Sequence, residues 1–147
     1  FSLIPAFHKA EFYRYGVMHR NTFINSPKLL NADFSLRENE NLFFAGQLTG
    51  VEGYMESAAS GILAGINAVR RLNSQEPMIL PTDTMLGALA GYISDKYVEK
   101  FQPMGANFGV LPALENRPRD KQERGKAYSD RALKSLEAYL THMNLEV

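Results

Sequence analysis

The chain has 147 residues, of which 45% are hydrophobic and 11% aromatic, and its 16 basic side chains balance 16 acidic ones. That apolar share can bury the core of one ordinary domain, which excludes a disordered tail. The lack of cysteine excludes disulfides and thiolate metal sites, and no run approaches the roughly 20 apolar residues of a membrane span. We therefore expect a cytoplasmic protein. Because the sequence opens on Phe1 inside the apolar run FSLIPAF, without a methionine, we also expect it to be a fragment.

The first forty residues predict a strand followed by a turn-rich connection. Residues 12–18 are rich in aromatic and branched side chains and end in the polar HRN, which predicts a strand that delivers His19 and Arg20 to a sheet edge or loop. The segment INSPKLLNADFSLREN, at 24–39, carries several turn-forming residues. It predicts a hairpin or an irregular connection.

Residues 41–61 carry the most informative pattern, NLFFAGQLTGVEGYMESAASG. Its apolar start predicts a strand over 41–46 inside a parallel sheet, and the glycines that follow let a bulky ligand approach the backbone. A helix is expected from Gly53 to about Leu72, and its free N–H groups favour an anionic ligand edge. The pattern predicts a nucleotide or flavin cradle, although such glycines also occur in folds that bind nothing.

The expected helix is amphipathic and thin. Apolar residues recur in it at helical spacing, namely Ala58, Ile62, Ile66 and Val69. Small residues at other positions, Gly61, Ala64, Gly65 and Ala68, make it slender. A slender helix of this kind packs close to a sheet or to a cofactor.

The second half of the chain predicts two packing helices separated by a long loop. Thr82 is expected to cap a helix that runs to about Lys100 and whose core face holds Met85, Leu86, Leu89, Tyr92, Ile93 and Tyr97. Prolines and glycines over 101–118 predict a loop with apolar anchors at Met104, Phe108, Val110 and Leu111. A last helix from about Lys121 to Leu140 would place on one side Tyr128, Ala132, Leu133, Leu136 and Leu140.

Charge is unevenly distributed along the chain. Residues 1–30 hold four basic side chains against one acidic, and residues 117–134 hold seven basic against three acidic. Basic margins beside a neutral site suit a protein that grips a phosphate backbone while it acts on a base. A charged run such as RPRDKQERGK is nevertheless most often a solvated surface.

Three stretches resemble one bacterial enzyme family: GQLTGVEGYMESAASGILAGINA, EFYRYGVMHRNTFINSP and FQPMGANFGVLPAL. The chain is similar, up to about Arg131, to the folate- and flavin-dependent tRNA uracil-5-methyltransferases (TrmFO), which belong to the GidA-like flavoproteins. The related GidA or MnmG branch would read closer to GQINGTTGYEEAAAQG. The residues that side with TrmFO are Val51, Glu52, Met55 and Ser60.

This resemblance implies an α/β fold in which residues 1–80 form the C-terminal portion of a Rossmann-like FAD-binding domain and residues 81–147 a helical tail packed on it. It implies an enzyme that takes a methylene from 5,10-methylenetetrahydrofolate and reduces it with FADH2, regenerated by NAD(P)H, to give 5-methyluridine in the tRNA T-loop. The implied partners are tRNA, folate and the remainder of the parent chain, without a membrane.

The resemblance also implies which residues contact the flavin. Ala45, Gly46 and Gln47 would contact FAD, since the amide of Gln47 can bond ribityl hydroxyls where other flavoproteins have aspartate. The backbone N–H groups of Gly53, Tyr54 and Met55 would face the flavin edge that becomes negative on reduction.

Folate and tRNA contacts are implied near the first strand. The ring of His19 would stack on the pterin, with Tyr54 as a second ring at the flavin edge, and Arg14 or Arg20 would meet a folate carboxylate or tRNA phosphate. For His19 the alternative is a surface or hydrogen-bonded structural residue, and for Tyr54 it is packing at the helix entry.

No catalytic residue is expected in this chain, because a uracil C5 methyltransferase of this mechanism needs a cysteine thiolate and the chain has none. No metal site is expected either, since the three histidines lack ligand spacing. Two other functions stay open: a GidA or MnmG-type enzyme that modifies the tRNA wobble uridine, and a non-catalytic helical module that binds RNA or a partner.

Overall fold

The computed structural model describes residues 3–11 and 22–144. The strand predicted over 12–18, and with it Arg14, His19 and Arg20, lies outside the described residues. In chain order the elements are a 3-10 turn (Pro5–Phe7), α1 (Ser26–Leu29), β1 (Ser35–Leu36), β2 (Asn39–Phe43), a second 3-10 turn (Gly46–Thr49), α2 (Tyr54–Leu72), α3 (Met85–Ser94) and α4 (Lys121–His142).

The two strands form a short antiparallel hairpin, in which Ser35 pairs with Phe43 and Leu36 with Asn39 around an irregularity. A hairpin is present, but it spans 35–43, whereas the segment 24–39 was predicted to be a hairpin or an irregular connection and also contains α1. The expectation that residues 41–46 lie inside a parallel sheet is wrong for the described residues. The chain turns back after Leu36 too quickly to permit a crossover, so β2 pairs with the strand just before it. Four of its five residues are exposed.

Helix α2 begins after Gly53 and ends at Leu72, as the sequence predicts. The face that packs on the core holds Ser60, Leu63, Ala64 and Asn67. The apolar residues at helical spacing, Ala58, Ile62, Ile66 and Val69, are exposed. Both faces carry few charged side chains, so the periodicity of the apolar residues does not indicate which face is buried.

Asn67 can be buried on that face because the backbone of Met78 forms hydrogen bonds with its side-chain amide. The Met78 N–H donates to Asn67 Oδ1 at 2.6 Å, and Asn67 Nδ2 donates to the Met78 carbonyl at 2.9 Å. Nδ2 also lies 3.2 Å from the carbonyl oxygen of Asp33. The amide thereby joins α2 to the hairpin and to the segment that precedes α3.

Helix α3 is shorter than predicted. Its cap is Thr84, not Thr82, because Thr84 Oγ1 accepts from the N–H of Gly87 at 3.1 Å. The helix ends at Ser94, before Tyr97, whose side chain is 88% exposed and contributes nothing to the predicted core face. Leu89 and Ile93 are buried, as expected.

Helix α4 agrees with its predicted span and is capped by Asp120, whose side chain accepts from the N–H groups of Gln122 and Glu123. Tyr128 is buried on it, but Leu133 is exposed, so that part of the predicted face is wrong. Tyr139 joins the helix to the rest of the chain, since its hydroxyl accepts from the N–H of Ile79 at 2.9 Å.

The core lies between α2, α3 and the segments around α1 and residue 101. Its buried members include Leu30, Phe34, Val51, Leu63, Leu89, Ile93 and Phe101. Among the described helices, none combines the length and the apolar character that a membrane crossing requires.

Candidate functional site

The glycine segment forms a tight turn against α2. Ala45 is extended, Gly46 has a φ of +68°, and the 3-10 turn Gly46–Thr49 ends on Gly50 with a φ of +84°. Positive φ values of this kind are adopted readily by glycine. Gln47 lies exposed on the turn, which leaves its amide free to meet a ligand.

Three buried hydroxyl groups hold this turn from both sides. Gly46 N–H donates to Ser60 Oγ at 2.8 Å, and Thr49 Oγ1 donates to the Gly46 carbonyl at 2.8 Å. Ser26 Oγ donates to the Thr49 carbonyl, also at 2.8 Å. Ser26, Thr49 and Ser60 have no accessible surface, and we call the three side chains the hydroxyl clamp.

Helix α2 starts without a side-chain cap. Gly53, at its N-cap, has φ +102° and ψ 146°, a conformation close to glycine-only backbone. The first intrahelical bond runs from Ser57 N–H to the Gly53 carbonyl at 3.0 Å. The N–H groups of Tyr54 and Met55 precede that bond, so they are available to an acceptor outside the helix.

The side chains of Tyr54 and Met55 are 93% and 81% exposed. The alternative role for Tyr54, packing at the helix entry, therefore has no support among the described residues. The turn at Gly46 packs on α2, so the structure brings Ala45, Gly46 and Gln47 and the helix start to neighbouring positions on one surface.

The loop over 101–118 lies beside the same glycines. Glu52 N–H donates to the Met104 carbonyl at 3.0 Å, and Met104 N–H donates to the Gly50 carbonyl at 2.8 Å. The N–H of Ala106 donates to Glu56 Oε1 at 3.1 Å. Glu56 thus ties the loop to the start of α2.

Phe101 fixes how close this loop comes to the glycine segment. A Cβ built on Gly50 would lie 2.9 Å from Phe101 Cε1, closer than real side chains approach each other. Gly50 therefore serves two purposes, since it supplies the positive φ and leaves room for the Phe101 ring.

The far end of the loop is held by α4. Phe108 stacks on Tyr128 with ring centroids 4.9 Å apart and planes 10° apart, and the Arg131 guanidinium lies 5.2 Å from the Tyr128 ring centre. Arg131 also donates to the carbonyls of Pro112 at 2.7 Å and Ala113 at 3.0 Å. The predicted anchoring by Phe108 is confirmed, and Arg131 is an anchor that the sequence reasoning missed.

The N–H groups of Glu123 and Gln122 lower the pKa of the Asp120 carboxyl, which caps α4. Over residues 3–11 and 22–144, no group of three or more His, Asp or Glu side chains could hold a metal ion.

Comparison with known proteins places the chain among its relatives. The family model of glucose inhibited division protein A matches residues 1–76. A Lactiplantibacillus plantarum protein named methylenetetrahydrofolate–tRNA-(uracil-5-)-methyltransferase TrmFO is 58% identical over 95% of this chain. Proteins of the same name from Bacillus cytotoxicus and Streptococcus suis are 55% and 56% identical over 94% and 96% of it.

The chain spans 32% of the length of each of these relatives. Among solved structures, a crystal form of Aquifex aeolicus GidA is 35% identical, with a TM-score of 0.44, over 46% of this chain and 11% of that one. Since the family model covers 76 of the 147 residues, the chain belongs to the glucose inhibited division protein A family.

Proposed function

We propose that this chain is part of a flavin-dependent tRNA uracil-5-methyltransferase that uses methylenetetrahydrofolate. The observation that carries the proposal is the match to relatives of that name, at 54% to 58% identity over at least 94% of the chain. Such an enzyme would act on a T-loop uridine of tRNA in the cytoplasm and would use NAD(P)H as reductant.

The described residues fit FAD. The first turn of α2, which has no side-chain cap, offers its N–H groups to an anionic edge. Ala45, Gly46 and Gln47 would hold the ribityl side of the cofactor, and Gly53, Tyr54 and Met55 its ring edge. When bound, a flavin supplies hydride-transfer chemistry.

An exposed face of α2 supports a Rossmann-like parent domain. This face carries no charged side chain and consists of Ala58, Gly61, Ile62, Gly65, Ile66, Val69 and Leu72. An apolar face of that length is normally covered by protein, and the relatives are about three times as long as this chain. We propose that a sheet of the parent domain covers it.

The remaining roles are assigned by the family resemblance. His19, with Tyr54, would contact the pterin, and Arg14 and Arg20 would meet a folate carboxylate or tRNA phosphate. The basic residues over 117–134 would add positive charge toward tRNA. The nucleophilic thiolate would come from outside these 147 residues, which contain no cysteine.

One other function has an observation in its favour. The matched family model describes glucose inhibited division protein A in general, which keeps a wobble-uridine modifying enzyme as the second candidate. A non-catalytic module that binds RNA or a partner would instead bind tRNA without any flavin.

The test uses the full-length polypeptide that carries this sequence. We expect it to purify with flavin absorbance and to lose the flavin in Gly53→Val, since a branched side chain does not adopt a φ of +102°. Gly125→Val is the matched control, because a Cβ at Gly125 meets nothing within 4 Å.

Labelled methylene from the folate should then reach T-loop uridine in tRNA. A colourless protein that ignores added FAD would reject the proposal, and label at the wobble uridine would favour the second candidate.

A further inference from the structure

Ser60 is a buried hydroxyl residue with two uses at once. Its Oγ donates to the Ser57 carbonyl at 2.8 Å, as helical serines commonly do toward the preceding turn. The same oxygen accepts from Gly46 N–H at 2.8 Å, 14 residues earlier in the chain. The second bond fixes the distance between α2 and the start of the glycine turn.

The other two members of the hydroxyl clamp hold the opposite end of the turn. Thr49 closes the 3-10 turn on the Gly46 carbonyl, and Ser26 secures the Thr49 carbonyl from α1. Neither the N–H nor the carbonyl of Gly46 is therefore free to bond elsewhere. Gly46 has a φ of +68° and no side chain that could restrict its backbone. These hydrogen bonds therefore define the orientation of its N–H and carbonyl groups.

We infer that Ser60 is a positioning residue for cofactor binding: its hydroxyl holds the Gly46–Thr49 turn in the conformation that presents the exposed Gln47 to FAD. This inference rests on the proposed function for FAD as the ligand. Ser60 itself has no accessible surface, so it acts through the turn and does not touch the cofactor.

Removal of the hydroxyl should change the population of the turn. In Ser60→Ala the Gly46 N–H loses its acceptor. The turn is then expected to populate other conformations, so that the conformation that binds FAD becomes less populated. Apparent affinity falls by the fraction of molecules that remain competent. We expect a dissociation constant for FAD about tenfold higher than in the wild type, with an unchanged visible spectrum of the bound flavin.

Ser94→Ala is the matched control. Ser94 Oγ also donates to a carbonyl of its own helix, that of Ala90 at 2.8 Å, but it has no bond to the glycine segment. Ser60→Thr keeps the hydroxyl and should bring affinity back toward the wild-type value. The measurement is FAD titration of the apoprotein by flavin fluorescence, with thermal unfolding of each apoprotein recorded alongside.

The outcomes separate this inference from the proposed function. Weaker FAD binding in Ser60→Ala, with normal binding in Ser94→Ala and rescue in Ser60→Thr, would support it. Equal affinity of Ser60→Ala and wild type would overturn it and leave the proposed function standing, whereas a wild type without flavin affinity would overturn both. Should Ser60→Ala not fold, Ser60→Cys takes its place, because a thiol accepts hydrogen bonds only weakly, and wild-type affinity in that variant would equally overturn the inference.

Discussion

Glu56 and Ala106 join two segments that lie 50 residues apart in the chain. The N–H of Ala106 donates to Oε1 of Glu56 at 3.1 Å, and the carboxylate lies over the space where a Gly53 side chain would be. Two stretches that resemble the same enzyme family, one rich in glycine and the other in the loop over 101–118, therefore form one surface.

Glu56→Ala should loosen this loop. The lost bond has a charged acceptor but is exposed, so we expect the Ala106 amide to exchange its hydrogen about tenfold faster while global stability changes little. Amide hydrogen exchange measures this directly. Glu56→Gln keeps an oxygen acceptor and serves as the control, with exchange close to wild type. An unchanged rate in Glu56→Ala would mean that backbone bonds of Met104 alone hold the loop.

Gly50→Ala should destabilise the protein. An alanine at φ +84° costs roughly 1–2 kcal/mol in backbone strain, and its Cβ would also press on the Phe101 ring. We expect a loss of about 2 kcal/mol or more in the free energy of unfolding, measured by urea titration. Gly125→Ala, inside α4 with nothing near its Cβ, should instead gain about 0.5–1 kcal/mol. Similar values for the two variants would contradict the close approach of Phe101.

The sequence predicted local elements better than the surfaces that they bury. The start of α2 could be predicted from Gly53 and the small residues after it, because a glycine before a helix and the helical periodicity are both features of the local sequence. The buried face could not be chosen, because Ser60 and Asn67 are polar and become acceptable inside only through partners at Gly46 and Met78.

The same reasoning applies to α3 and to the site. Thr82 and Thr84 are equally good caps by type, and the choice depends on tertiary contact: Thr84 Oγ1 donates to the Pro81 carbonyl at 2.7 Å, and Gly87 packs against the backbone of Pro81. The glycine turn was recognised from the sequence, but the hydroxyl clamp was not, since its members come from three separate segments.

Ile62→Ser tests whether the exposed face of α2 is covered in the full-length polypeptide. Ile62 is 67% exposed in this chain, and an exposed substitution usually changes stability by less than about 0.5 kcal/mol. If a parent sheet covers the face, the loss in the free energy of unfolding should instead be about 2 kcal/mol. Leu133→Ser on α4, at 58% exposure, is the control and should stay near zero. Near-zero values for both would argue against the covering sheet.

Asn67→Ala should be among the most destabilising changes on α2. The variant leaves the Met78 N–H and carbonyl without partners in a buried position, and each such group costs about 1–3 kcal/mol. We expect a loss of about 3 kcal/mol in the free energy of unfolding, measured by chemical denaturation. Asn73→Ala, at the exposed C-cap of the same helix, is the control. A small effect at Asn67 would show that water replaces the amide.

Asp120 should make the start of α4 sensitive to acid. The N–H groups of Glu123 and Gln122 lower the pKa of its carboxyl from the ordinary value of 3.8, and they outweigh the opposing effect of desolvation. Because the folded pKa lies below the unfolded one, the stabilisation is complete above pH 3.8 and is lost as pH falls through the folded pKa. NMR titration of the Gln122 and Glu123 amides should show the first turn fraying only below that pH. Asp120→Asn keeps a capping oxygen without a charge and should show no such step, so the same step in that variant would assign the transition to another group.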